Sequence, residues 1–407
     1  MIRIKSKEEC CGCESCIQTC PKMCISLVAD KEGFLYPRID ESVCVDCRLC
    51  EKVCPMINDY VSSSPIVTFA SKNKNEKVRM SSSSGGIFSL FAEKIIEEGG
   101  VVFGAVFDEY WQVVLDCTDR KENIDNFRRS KYVQAKTGDS YRKVQFYLKQ
   151  GRKVLFSGTP CQIIGLKLYL QKEYPNLITV DVACHGVPSP KVWEKYLLYI
   201  GKREQCKNRT SYTKICPTIQ KINFRGKEIS WEQFTITINF VSSEGNSERQ
   251  EFSHSIVHRD DLYMKLFLKD VILRPSCYHC SMRMRKSMSD IMIADFWAID
   301  DVLPDFNDHK GVSLVVVKSE KGKNFFSAIS TDSVFTEYDV AIKNNGGFQE
   351  KVVPHPNREF FFNHLDKMDD LSKLVEKTLN PRPAFVQRIK ISAFYRVKKL
   401  LNGLGIK

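Results

Sequence analysis

No run of eighteen apolar residues occurs in the 407-residue chain, so no segment is expected to span a bilayer. Met1 leads into Arg3, Lys5 and Lys7 with no apolar stretch behind them, which argues against export. The chain also lacks a G-x-G-x-x-G turn and a Walker pattern, making a nicotinamide Rossmann domain and a nucleoside triphosphatase poor fits. No Arg/Lys stripe interleaves with aromatics, so nucleic acid is not an expected partner. Cysteine is present, 17 in all, but too thinly spread for a disulfide scaffold. A reducing, cytoplasmic setting follows. The C-x3-C-x2-C loop of radical enzymes is missing too: Cys20 and Cys24 have the first spacing, but position 27 is a leucine.

What is present begins at once. Cys10, Cys13, Cys16, Cys20 and Pro21 read C-x2-C-x2-C-x3-C-P, and the spacing returns at Cys44, Cys47, Cys50, Cys54 and Pro55. Short spacers let three thiolates converge on one cubane, and the fourth crosses to the other cluster. The expected ligand sets are therefore Cys10, Cys13, Cys16 and Cys54 for one [4Fe–4S] cluster, and Cys44, Cys47, Cys50 and Cys20 for the other. Two zinc knuckles would not need matched runs each closed by Cys-Pro. Between the blocks, Asp30–Gly33 separates short apolar pieces and predicts a small hairpin. Cys11 and Cys24 fall outside the pattern.

Residues 1–60 carry a net charge of −2, leaving +14 on the remainder. A basic surface can steer an acidic electron carrier such as a ferredoxin, another redox subunit, or an anionic membrane. Composition and punctuation predict an α+β chain with four parts: a two-cluster ferredoxin-like domain over 1–60, a mixed α/β domain beginning over 61–204, its continuation with an antiparallel insertion over 205–350, and a helical, basic tail over 351–407. Ile66–Ser71, Val101–Phe107, Lys153–Ser157, Leu177–Ala183 and Val312–Lys318 read as strands; Thr235–Val241 and Glu248–Ile256 read as an antiparallel pair.

Three features of the α/β region suggest ligands. Ser82, Ser83, Ser84, Gly85 and Gly86 precede an apolar pattern of helical spacing, where hydroxyls and free N–H groups can meet phosphate or pyrophosphate. An ordinary capped helix start reads the same way. Gly158-Thr159-Pro160-Cys161 and Cys184-His185-Gly186 follow strands, and so belong to the carboxyl edge of a mostly parallel sheet. Cys161, Cys184, Cys277 and Cys280 could together hold a third [4Fe–4S] cluster; buried thiols, or a zinc site using His185 or His279, are the alternatives.

Several separated motifs in order are similar to those of the coenzyme F420 hydrogenase/dehydrogenase beta-subunit family. They are Ser82–Ile87, Lys131-Tyr-Val133, Ser157-Gly-Thr-Pro-Cys-Gln162, Asp181–Ser189, Phe224-Arg-Gly-Lys227, Cys277-x2-Cys280 and Ala294-Asp-Phe-Trp297. The resemblance covers roughly residues 66–350. It implies an iron–sulfur flavoprotein that holds FAD beside a [4Fe–4S] cluster ligated by Cys161, Cys184, Cys277 and Cys280. It places Ser82–Gly86, Lys131, Thr159 and Asp295 at the flavin. The corresponding function is oxidoreduction between a ferredoxin-like carrier and a small organic substrate or deazaflavin. The alternative is an electron-transfer subunit without a substrate of its own, in a setting such as surface-polysaccharide synthesis. Gly226 and Ser281 stand where relatives often carry an acid, and Arg283, Arg285 and Lys286 form a basic run that suits an anionic or nucleotide-linked substrate equally well.

His185, Lys131, Arg225 and Lys227 are the candidates for moving a proton or binding an anion. Arg225 and Lys227 also fit a solvated strand edge. In the tail, apolar positions over 385–401 approximate one helical face ringed by Arg and Lys. It suits peripheral contact with the inner face of a membrane or docking onto protein.

Overall fold

The computed structural model describes residues 1–62, 64–207, 218–242, 250–283, 287–348 and 352–381. Met1–Pro354 form one compact unit and His355–Lys407 a second. In the second, helices Arg358–His364 and Leu371–Leu379 are described. The 385–401 segment expected to contact a membrane or protein lies outside the described residues, as do Arg285 and Lys286. Among the described residues no helix is long and apolar enough to cross a membrane.

At the N-terminus, strands β1 (Ile25–Ala29) and β2 (Leu35–Ile39) pair antiparallel. Asp30 closes the turn, its carboxylate accepting from the Glu32 and Phe34 amides. Few apolar side chains are available here. The local core is Ile2 and Ile25 packed among Cys16, Cys20, Cys24, Cys50 and Cys54.

The body of the first unit is an eight-stranded sheet. Its strands are β3 (Val67–Lys72), β4 (Val101–Phe107), β5 (Val113–Thr118), β6 (Val154–Gly158), β7 (Leu177–Val182), β11 (Ile291–Asp295), β12 (Ser313–Val317) and β13 (Asp332–Thr336). The spatial order is β13-β3-β12-β11-β7-β6-β4-β5. The central strands β4, β6, β7 and β11 run parallel; antiparallel pairings add β5 on one side and β12, β3 and β13 on the other. Strand side chains alternate between faces. Val102, Leu155, Ile178 and Val180 meet helix Ile87–Glu97. Val101, Phe103, Val154, Phe156 and Leu177 meet helices Ser140–Lys149 and Pro160–Leu170. Each such fully buried side chain contributes about 1.5–3 kcal/mol.

A separate three-stranded antiparallel sheet contains β8 (Thr218–Gly226), β9 (Thr235–Ser242) and β10 (Gln250–Val257), ordered β10-β9-β8. The mixed α/β architecture with an antiparallel insertion is therefore present. Two local differences bear on the site. Cys161, expected in a turn, lies in the first turn of helix Pro160–Leu170, because Pro160 is pre-set for a first helical position. The Thr159 amide there donates to Gln162 Oε1 at 2.9 Å. Arg225 is not a solvated edge residue: it is 2 % exposed.

The cysteine-rich segment docks on the helical face of the body. Ser15 Oγ donates to the Gly165 carbonyl at 2.9 Å, and the Gly138 amide donates to Glu14 Oε2 at 2.8 Å. Arg142 Nε donates to the Gln18 carbonyl at 2.8 Å. Gly165 is required by this approach, since a Cβ there would meet Ser15 Oγ at 2.7 Å.

Candidate functional site

The two cysteine loops lie 34 residues apart in sequence, Cys10 to Cys44, and share a backbone. Gly12 and Asp46 are both left-handed, as are Glu14 and Arg48, each of which precedes a short helix. One cavity is lined by Cys10, Cys13, Cys16 and Cys54, with Cys11 in its wall. A second is lined by Cys20, Cys44, Cys47 and Cys50, with Cys24 in its wall. The crossing cysteines thus stand in the cavity of the opposite loop. Burial, then Cys13, Cys10 and Cys54, push the Cys16 thiol up; burial and Cys13 push Cys54 up to about 12. Thiols crowded in a dry cavity ionise when a metal body takes their charge, so this donor set fits an iron–sulfur cluster.

The four scattered cysteines are brought together as well. Cys161 opens its helix, Cys184 follows β7, Cys277 lies in the turn Pro275–His279, and Cys280 closes that turn. Burial dominates at Cys184, reinforced by Cys277, Cys161 and Cys280, and pushes Cys277 up to about 12. Cys161 is pulled down to about 7, first by Cys11 and also by Thr159. Thr159 Oγ1 lies 3.1 Å from Cys161 Sγ, which places this threonine beside the cysteines. His185 adjoins Cys184, but its Nε2 pairs with Asp270 at 2.6 Å, and its ring meets Phe267 edge-on.

The third grouping occupies the same sheet edge. Asp295 ends β11 opposite Ser313, which opposes Ser71 on β3. Gly85 lies flush on that edge: its amide donates to Ser313 Oγ at 3.0 Å, and a Cβ there would strike the Ser71 carbonyl. Gly86, at φ +79°, starts helix Ile87–Glu97. The serine hydroxyls already have local partners. Ser82 Oγ donates to the Val78 carbonyl, Ser84 Oγ donates to the Val312 carbonyl, and Ser83 Oγ accepts from the Ser130 amide.

Arg225 crosses this edge. Its Nη1 donates to Asp295 Oδ2 at 2.8 Å and to the Tyr132 hydroxyl at 3.0 Å, and Nη2 donates to the Ser83 carbonyl at 3.3 Å. The guanidinium lies 4.0 Å from the Phe234 ring centre. Arg225 Nε is buried without a hydrogen-bond partner, leaving an unused donor among aromatic rings. Tyr132 and His185 both pack on Phe267, so this grouping adjoins the scattered cysteines.

Lys227 Nζ donates to the Arg79, Ser84 and Lys310 carbonyls, and Lys131 Nζ donates to the Arg128 carbonyl at 3.0 Å. Burial, then Arg225 and Arg79, pull the Lys227 amine down to about 7; burial and Arg129 do the same to Lys131. The ordinary lysine value is 10.5. Between these values the unfolded chain binds more protons, so the lysines add stability as pH rises from about 7 and that gain is lost on returning to it. Lys227→Met is expected to remove its share. In urea unfolding, wild type should gain on the variant between pH 7 and 9; a constant difference would refute the assignment.

Sequence reasoning missed several residues that complete these groups. Tyr132 was within reach, since it sits inside the Lys131-Tyr-Val133 motif. Asp270 and Arg274 had no local signal. Nor did Tyr60, whose hydroxyl is pushed up to about 12 by burial and then by Cys280. Arg283 stood out only as part of a basic run; it is buried, with Nη2 donating to the His185 and Cys277 carbonyls.

No curated protein matches the chain. Among solved structures, a chain from the xenon-derivatised F420-reducing [NiFe] hydrogenase complex of Methanosarcina barkeri aligns at a TM-score of 0.42 and 16 % identity, covering 79 % of this chain and 94 % of that one. Residues 151–342 match the family described as the C terminus of the coenzyme F420 hydrogenase/dehydrogenase beta subunit. That span, a little under half of the chain, includes Cys161, Cys184, Arg225, Cys277, Cys280 and Asp295, and it is this region that matches the coenzyme F420 hydrogenase/dehydrogenase beta-subunit family.

Proposed function

We propose that the chain is an iron–sulfur flavoprotein oxidoreductase, passing electrons between an external redox carrier and a small organic substrate or deazaflavin. The observation that carries this reading is the file formed by twelve cysteines. Cys47 is exposed at one end; the Cys20/Cys44 cavity is followed by the Cys10/Cys54 cavity; Cys11 then lies in hydrogen-bonding reach of both Cys13 and Cys161. Cys161 introduces the scattered group, which adjoins Arg225 and Asp295. Cys10, Cys13, Cys16 and Cys54 would hold one [4Fe–4S] cluster, Cys44, Cys47, Cys50 and Cys20 a second, and Cys161, Cys184, Cys277 and Cys280 a third.

FAD is assigned to the edge made by Ser82–Gly86, Lys131, Arg225, Lys227 and Asp295. The unused Arg225 Nε and the flanking rings of Tyr132, Phe234 and Trp297 suit a flat, anionic cofactor. Clusters supply one-electron transfer and a flavin supplies its pairing into two-electron chemistry. The chain's own residues bind and orient: Asp295 holds Arg225, Asp270 fixes the His185 ring, and Arg283 ties the His185 and Cys277 carbonyls together.

Iron, sulfide and released flavin measured on one anaerobically purified sample test this directly. About twelve irons and one FAD per chain are expected. About eight irons without flavin would reduce the chain to a two-cluster relay. A second reading, a relay subunit with no organic substrate, is favoured by the family's designation as a beta subunit. Reduction of a deazaflavin or other organic acceptor by the isolated, reduced chain would exclude it.

A further inference from the structure

Arg274 is fully buried and lies between two cysteine groups. Its side chain reaches the N-terminal one: Nε donates to the Cys10 carbonyl at 2.7 Å, Nη2 donates to Cys10 Sγ at 3.4 Å and to the Leu35 carbonyl at 2.9 Å, and Nη1 donates to Gln134 Oε1 at 3.0 Å. Its backbone reaches the other group. The Arg274 carbonyl accepts from the Cys277 amide at 2.8 Å, and its own amide donates to the Val187 carbonyl at 3.0 Å. The Val187 amide in turn donates to Cys277 Sγ at 3.4 Å. Gly12 makes room for this arrangement, since a Cβ there would collide with Gln134 and with the Arg274 guanidinium.

The charge balance is the unusual part. Carbonyls, one amide oxygen and one thiol accept from Arg274, and among the described residues no carboxylate does. A buried cation needs a compensating negative charge. The groups that act on it most strongly are Cys10, Tyr36, Cys11 and Cys277; burial keeps Tyr36 protonated, and the Glu14 carboxylate, which also feels Arg274, is held by the Gly138 amide.

The second loop supplies an internal comparison. At the position matching Gly12 it carries Asp46, which binds the Met1 ammonium at 2.6 Å, and the Cys50 thiol accepts a neutral backbone N–H from Ile2. The two loops share a backbone but differ in what reaches their sulfurs: a buried guanidinium touches Cys10 of the first, whereas Cys50 of the second receives a neutral N–H and the cations in that cavity's wall, Met1, Lys22 and Arg48, are not buried.

We propose that Arg274 is a positioning and tuning residue that raises the reduction potential of the Cys10/Cys13/Cys16/Cys54 cluster above that of its twin and holds it against the Cys277 turn. This rests on the cluster assignments proposed above. A fixed positive charge and an N–H···S bond both favour the more negative, reduced form of a cluster. With Arg274 in place, an electron supplied to the exposed second cluster by an external one-electron carrier leaves that cluster oxidised and the first reduced, one electron in and one out. Its direction is inward, toward Cys161.

Redox titration followed by electron paramagnetic resonance, on the full chain, tests the assignment. In Arg274→Gln the first-loop cluster is expected to lose at least tenfold in its reduction equilibrium constant, about 59 mV for a one-electron couple, while the second-loop cluster stays in place. Arg274→Lys keeps the charge but loses the fork, and is expected to shift the same cluster less. Arg142→Gln, which removes a docking arginine that touches no sulfur, is expected to move no potential. If the glutamine variant purifies without its first cluster, the lysine variant decides. Unmoved potentials with clusters intact, or loss of the cluster in both variants, would overturn the tuning role alone. Wild type lacking the eight N-terminal irons would overturn the cluster assignment itself.

Discussion

Arg225→Met is expected to release the flavin and to destabilise the chain by about 3–5 kcal/mol, the usual consequence of removing one partner from a buried ion pair. Asp295 would keep its carboxylate without the guanidinium that now lies 2.8 Å away. Asp295→Asn retains an oxygen for Arg225 and should be milder. The double variant Arg225→Met/Asp295→Leu separates the two effects. Removing both charges should restore much of the stability, because no buried charge is left uncompensated. It should not restore flavin, because the unused Arg225 Nε and the aromatic-flanked cation are gone. Thermal unfolding and flavin content, measured on the same preparations, give the answer. A double variant that regained flavin together with stability would show that Arg225 only supports the fold.

The same pair shows what could be read from sequence and what could not. The parallel centre of the sheet was legible because its strands are short apolar runs bounded by Gly, Thr or Cys, and their carboxyl ends were read as one edge. The cysteine loops were legible because a cubane dictates spacer lengths. Arg225 and Asp295 each stood out in a motif, but their pairing did not, since Asp295 lies 70 residues further on and the strand β8 that carries Arg225 had no clear alternation. Arg274 was less so: it meets Cys10 across 264 residues. The serine run was readable as a helix start, but only tertiary structure could assign its hydroxyls to the Val78 and Val312 carbonyls and the Ser130 amide. Strand β5 and helix Ser140–Lys149 escaped because their buried positions are interleaved with charged and polar residues. Long-range closure was the missing information, rather than composition.

Cys54→Ser and Cys20→Ser are expected to exchange their effects between the two loops. Cys54 follows the second loop in sequence yet lines the cavity of Cys10, Cys13 and Cys16. Its loss should remove about four irons and the cluster next to Arg274. Cys20 follows the first loop yet lines the cavity of Cys44, Cys47 and Cys50, and its loss should remove the cluster near the exposed Cys47. Cys24 Sγ stands 3.4 Å from Cys20 Sγ, so Cys20→Ser is made with Cys24→Ala to keep that thiol from substituting. Serine in place of either cysteine also opens a small core in which five cysteines and two isoleucines are buried, with Ile4, Ile17, Ile39 and Met56 packed against them. Some unravelling of β1 and β2 should therefore accompany either loss, and iron content alone would not separate the variants. The potential of the surviving cluster does. Beside Arg274 it keeps the higher value, and in the Cys54→Ser chain the remaining N-terminal cluster shows the lower one. The reverse pattern would mean that each loop closes on its own fourth cysteine, and the crossed ligand sets would be wrong.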